Sequence, residues 1–324
     1  MASTTKIPLP LGIALGLVAG LAIPAQARVN GQLALEMRDG LGAAVLSFSV
    51  GLVVMAVLSG ALRRGRDGLV QLRHSVRERR FPLWYMAAGC VGAYYVLGQS
   101  FAAPFTGLAL FTVANVTGLT LSGLLVDRLG IGPGGRRDIN GIRIVGSVLT
   151  VAAVVWTVSP RMATASDGGL SGLLLLLLPL TAGFLMSFQQ AMNGTATVHY
   201  GTPITATLVN FIAGWIVLLA AWLVSAASKG WPESLPSAGW YYLGGPLGCV
   251  FIGLGAVVVR HLGVLLAGLA MVSGQLLGSL AMDLAFPAPG SVVTGITVLG
   301  TLLTLLAVSV AALPTSARMP WERR

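Results

Sequence analysis

The stretch AGLAIPAQARVNG, residues 19–31, is met again at residues 182–194 as AGFLMSFQQAMNG. Aligned, Gly20 falls on Gly183, Gln26 on Gln189, Asn30 on Asn193 and Gly31 on Gly194, every pair 163 residues apart. The same offset carries Phe48 onto Phe211 and Gly51 onto Gly214. An offset of 156 then pairs Trp84 with Trp240, Tyr85 with Tyr241, Gly89 with Gly245, Gly92 with Gly248, Gly107 with Gly263, Gly118 with Gly274 and Asp127 with Asp283. An offset of 154 pairs Gly141 with Gly295 and Gly146 with Gly300. Matches that stay collinear over a whole chain mark a duplicated unit.

Composition says what kind of unit it is. Of 324 residues 55% are hydrophobic and only 9% charged, where a soluble domain carries roughly 25% charged residues; the mean hydropathy is +0.85. Apolar runs long enough for about 30 Å of hydrocarbon, roughly 20 residues each, are read at 8–29, 41–62, 82–102, 105–126, 141–159, 170–192, 202–226, 240–260, 262–282 and 290–313. The expectation is an all-α membrane protein of ten spans, divided into a first five-helix repeat at 1–160 and a second at 161–324. Five is odd, so the second copy enters the bilayer in the opposite sense from the first. Two inverted copies about an axis in the membrane plane are a frequent design of secondary transporters, because exchanging the conformations of equivalent halves moves the opening from one side to the other. Lys6, the first apolar run and Ala25-Gln26-Ala27 imitate a cleavable signal. The match between the first and sixth runs argues against its removal.

The net charge of +10 is unevenly placed. Arg63, Arg64, Arg66, Arg73, Arg77, Arg79 and Arg80 crowd one connection, and Arg128, Arg136, Arg137 and Arg143 surround another. With the N-terminus in the cytoplasm, 16 basic residues lie inside and four outside, namely Arg28, Arg38, Arg161 and Lys229. That bias places both termini in the cytoplasm. The 63–80 connection is read as a loop contacting anionic headgroups rather than nucleic acid. The use of 18 Arg against 2 Lys, with abundant Ala and Gly, points to a bacterium with a GC-rich genome, and hence to the inner membrane. Cys90 and Cys249 lie singly in apolar runs, without the spacing of a metal or redox centre. No metal or other cofactor is expected.

The repeated residues resemble the YdcZ-like family of the drug/metabolite transporter (DMT) superfamily. The first-helix pattern is met as Ala19-Gly20, Gln26 and Asn30-Gly31, and again as Ala182-Gly183, Gln189 and Asn193-Gly194. The third-helix pattern is met as Trp84, Gly89 and Gly92, and as Trp240, Gly244-Gly245 and Gly248. The fourth is met as Gly274-Gln275-Leu276 with Ser279 and Asp283. The first copy departs from it, since GLTLSGLLVD at 118–127 has Leu119 where the second copy has Gln275. The resemblance implies an EamA-like transporter fold, alternating access and a small-molecule substrate, a metabolite or drug-like compound.

Polar groups inside apolar runs are costly and are the first candidates for a transport pathway. Gln26 with Asn30 and Gln189 with Asn193 are spaced so that each pair shares a helix face. Such amides either bind substrate and close the mouths of a cavity, or join helices by hydrogen bonds worth about 1 kcal/mol apiece. Gln275, with small Gly278 and Ser279 nearby, is the third candidate. Asn115 and Asn210 are read as helix-to-helix bonders. Asp127 and Asp283 end their apolar runs and are related by the repeat. They suit gating or structure, and in a partly dry cavity such a carboxyl also suits proton coupling. Gly12, Gly16 and Gly20 form a smooth stripe for close helix packing. Trp84, Tyr85, Trp240 and Tyr241 suit the aromatic belt, and Pro24 and Pro104 are expected to bend or break helices. Two other classes compete with a transporter: a polytopic membrane enzyme or lipid-handling protein, which needs acids and histidines clustered at one face, and a scaffold without transport. His74, His199 and His261 are scattered, and no catalytic spacing occurs.

Overall fold

The computed structural model describes residues 8–132, 135, 141–163, 169–230, 235–287 and 293–311. Among them the secondary structure is helical: α1 Leu9–Met37, α2 Gly40–Ala61, α3 Arg63–Arg77, α4 Gly89–Thr106, α5 Leu108–Leu129, α6 Gly141–Ala163, α7 Gly169–Tyr200, α8 Pro203–Lys229, α9 Gly244–Ala285 and α10 Gly295–Ala311. Among the described residues six stretches are long and apolar enough to cross a bilayer: Leu9–Met37, Gly40–Ala61, Leu108–Leu129, Leu174–Tyr200, Pro203–Ser228 and Ala267–Ala285. Lys6, Arg136, Arg137, Arg318, Arg323 and Arg324, all used in the charge count, lie outside the described residues.

Several boundaries differ from those read in the sequence, each for a local reason. α1 continues past residue 29 to Met37, because Gln32 and Glu36 are helix formers although they are not apolar. It ends at Arg38, whose φ of 49° is left-handed, and Asp39 starts α2 by accepting the Gly42 N–H on Oδ1 at 2.9 Å. Pro24 sits inside α1 without ending it, and α4 passes Pro104 to stop at Thr106. The break falls at Gly107, where a φ of 79° requires a residue without Cβ. The basic connection after α2 is not a loop: Arg63–Arg77 is helical. Its buried face is made of Gly65, Gly68 and Ser75, with Gly68 set against Thr202 and Thr205 and Ser75 Oγ donating to the His199 carbonyl at 3.1 Å. Its arginines remain exposed.

The expected eighth and ninth runs form one helical stretch, α9, which is nevertheless two limbs in space. Gly244 lies against Asn30, Gly248 against Gln26 and Val258 beside Gly16, so α9 first descends α1. Ala270 then meets Gly16, Gly274 meets Leu17 and Gly278 meets Leu21, so it climbs back. A Cβ built on Gly255 would sit 3.0 Å from Met271 Cε, whereas a straight helix would separate those residues by roughly 24 Å. The reversal falls between Val258 and Ala267.

Contacts between copies obey the sequence repeat. Gly20 packs on the Met271 carbonyl, and its counterpart Gly183 on that of Asn115. Gly274 packs on Leu17, and Gly118 on Leu180. Gly245 packs on Ser47 and Gly51, and Gly89 on Asn210 and Gly214. Each glycine brings backbone to within van der Waals distance of backbone, the approach by which apolar helices adhere in a medium that supplies no hydrophobic force between them. At the centre the counterparts Phe48 and Phe211 meet with ring centroids 5.1 Å apart. From there α2 and α8 run antiparallel. Trp215 Nε1 donates to Ser49 Oγ at 2.8 Å, and Trp222 Nε1, near the end of α8, donates to Asp39 Oδ2 at the start of α2 at 2.7 Å.

Candidate functional site

Two amide clusters and a chamber make up the candidate site. In the first cluster Asn30 Nδ2 donates to Gln99 Oε1 at 2.7 Å, and both side chains are fully buried. Asn30 Oδ1 abuts Gly244, with Ser47 Oγ on the same glycine, and the Gln26 amide abuts Gly248. Asn30 Oδ1, Ser47 Oγ and Gln99 Nε2 have no hydrogen-bond partner. In the second cluster Gln189 Nε2 and Asn193 Nδ2 both donate to Asn210 Oδ1, at 2.9 and 3.1 Å. The Gln189 amide abuts Gly92, as Gln26 abuts the counterpart Gly248. The clusters differ at two repeat positions: Asn210 corresponds to Ser47, whose shorter hydroxyl does not reach its amide, and Gln99 corresponds to Gly255.

α5 runs from one cluster to the other. Its start follows Pro104, which touches Gly31 beside Asn30. Beyond its end the Ile131 carbonyl accepts from Thr195 Oγ1 at 3.1 Å, two residues past Asn193. Between these ends lies the chamber, lined by Ile23, Tyr95, Asn115, Leu119, Met186, Gln190, Phe251 and Gln275. Three pairs are repeat counterparts: Ile23 with Met186, Tyr95 with Phe251 and Leu119 with Gln275. The chamber therefore straddles the pseudo-twofold axis. Its free volume is about 10 Å³, room for a single water molecule, and Gln190 on its lining is exposed.

Of the residues singled out from sequence, Gln275 lies in the chamber, Gln26 and Asn30 in the first cluster, and Gln189 and Asn193 in the second. Asp283 belongs to neither. It is 3% exposed, and its Oδ1 and Oδ2 accept the N–H groups of Leu108 at 2.9 Å and Ala109 at 2.7 Å. It thus sits at the end of its own helix and caps the beginning of α5, where a carboxylate completes the free N–H groups and faces the positive end of the dipole. Asp127 is half-buried near the end of α5. Gly16 meets Ala270, Gly20 meets Met271, and Gly12 is buried on the same stripe. Tyr95 was not singled out by the sequence, and Asn115 and Gln190 were passed over as site residues. Their signal is that chamber positions are repeat counterparts of unlike polarity.

The folding of one helical unit upon an equivalent one, with a polar chamber on their axis, defines a helical membrane protein built by duplication. A family model described as "Putative inner membrane exporter, YdcZ", of the DMT group, matches residues 11–156 and again 174–310. The chain belongs to that family, and the two matches are its two tandem repeats. Among solved structures, one crystal structure of a protein aligns with a TM-score of 0.52 and 15% identity, covering 93% of this chain and 95% of that chain. At that identity the likeness concerns the fold alone. A search of curated proteins returns no match.

Proposed function

We propose that the protein is a ten-span secondary transporter that moves a small metabolite or drug-like molecule across the bacterial inner membrane by alternating access, with both termini cytoplasmic. The observation that carries this reading is the small, polar chamber on the axis relating two copies whose α2 and α8 run antiparallel. The two limbs of α9 support the count of ten, and the antiparallel pair supports opposite insertion of the units at 1–160 and 161–324. The amide clusters at opposite ends of α5 act as gates. In the present conformation the Gln189–Asn193–Asn210 gate is hydrogen-bonded, while the Asn30–Gln99 gate retains unpaired groups. The cost of those unpaired groups, about 1–3 kcal/mol each, is relieved when the first gate rearranges.

The driving force is a gradient. A proton is one coupling ion to be tested, with Asp127 and Asp283 the two carboxyls related by the repeat. The exposed arginines of α3 contact anionic lipid headgroups. The test is flux across proteoliposomes for a metabolite panel, wild type against Gln26→Leu, Gln189→Leu and Gln275→Leu. Loss of flux in the variants, with the folded protein still monodisperse, supports the pathway; equal flux removes these residues from it.

A further inference from the structure

The chamber's chemistry narrows what it accepts, given the transporter reading on which this inference rests. Its polar heads are Tyr95, Asn115, Gln190 and Gln275, and none carries a formal charge at neutral pH. Ile23, Leu119, Met186 and Phe251 supply an apolar wall. The formal charges on the same helices stand apart. Arg28 is five residues beyond Ile23 on α1, and Asp127 and Asp283 are each eight beyond Leu119 and Gln275, roughly 7 Å and 12 Å along the axes. Asp283 is moreover occupied by α5. Asn115 is 5% exposed, and its Oδ1 is buried without a hydrogen-bond partner. A buried acceptor in that state asks for a donor.

The polar heads are also unmatched across the repeat, two in each copy. Tyr95 corresponds to Phe251 and Gln275 to Leu119, while Asn115 and Gln190 correspond to Met271 and Ala27. A symmetric frame with an asymmetric polar edge orients its ligand in one way.

We propose that the chamber selects small molecules without formal charge that donate an N–H or O–H to Asn115 Oδ1 and lay an apolar or aromatic body against Phe251 and Met186. An ion seated against that wall gives up hydration and meets no counter-charge among the residues lining the chamber, which costs more than the amides return.

The experiment uses the full chain in proteoliposomes at about pH 6, where the α-amine is protonated and the carboxyl ionised, and matched probes of one skeleton: N-acetyltyrosinamide, uncharged; N-acetyltyrosine, an anion; and tyrosinamide, a cation. Phenyl glucoside against phenyl glucuronide is a second pair, and protein-free vesicles give the leak. The uncharged members should be carried at least tenfold faster than the charged ones. Asn115→Leu should lower that flux tenfold or more, and Asn115→Asp should shift preference toward tyrosinamide; Gln275→Glu provides the same charge test if the Asn115 variants do not fold. Flux of a charged member equal to or above its uncharged partner overturns the class and leaves the transporter standing. Flux of no probe, together with no thermal stabilisation of the purified protein by any, overturns the class and the transporter reading together.

Discussion

Asp283 Oδ1 accepts the backbone N–H of Leu108 at 2.9 Å across 175 residues of sequence. One buried carboxylate thereby ties the end of α9 to the start of α5, and with it one copy of the unit to the other. Asp283→Ala leaves the N–H groups of Leu108 and Ala109 without this acceptor inside the bundle, at about 1–3 kcal/mol for each. The melting temperature in detergent should fall clearly, and Asp283→Asn, which retains one acceptor oxygen, should lose less. A melting temperature equal to wild type in both would mean that this carboxylate is not a cap.

Gly20 and Gly183 make the same contact in the two copies, so their substitution should have the same consequence. A Cβ on either collides with a carbonyl oxygen of the facing helix, that of Met271 or Asn115. Gly20→Ala and Gly183→Ala should each destabilise by about 1–3 kcal/mol, the scale of overpacking. Gly253→Ala is the control, since no atom lies within 4 Å of its added Cβ, and it should be neutral or slightly stabilising. Equal stability for all three variants would contradict the interlocking of the copies.

The cluster proposed as the second gate can be measured as a coupling. Gln189 and Asn210 share a 2.9 Å hydrogen bond, and a double-mutant cycle of Gln189→Leu with Asn210→Leu should return about 0.5–1.5 kcal/mol, the range of interhelical hydrogen bonds in membranes. A coupling of zero would make the contact incidental. Asn210→Leu should also speed opening of that mouth, measured as faster maleimide reaction at a cysteine introduced at Thr207, which is buried one turn from Asn210.

Much of this arrangement is legible in the sequence because the duplication leaves a double trace. Gly20 with Gly183 and Phe48 with Phe211 are sites of close contact between copies, and close contact is what keeps a glycine or an aromatic at matching positions. The chamber is harder to read for the opposite reason. Tyr95 with Phe251 and Leu119 with Gln275 are counterparts whose polarity differs, so a search for matched polar pairs finds the gates and overlooks the floor between them. Asn210 is hidden in the same way, because its counterpart is Ser47. Arg63–Arg77 reads as a loop by hydropathy because its buried face is glycine and serine rather than leucine. The two limbs of α9 are legible as two apolar runs divided at Arg260-His261, and the repeat adds Gly263 as the counterpart of Gly107, where α4 gives way to α5.

The central claim is that the two copies lie in the membrane in opposite senses, and sidedness measures it most directly. Trp84 and Trp240 are counterparts, 58% and 43% exposed at the start of their third helices. In a chain with Cys90 and Cys249 replaced by alanine, single cysteines at these two positions can be labelled in intact cells and in inverted vesicles with an impermeant maleimide. The account predicts labelling of position 84 only from the cytoplasmic side and of position 240 only from the periplasmic side. Labelling of both from one side would contradict it.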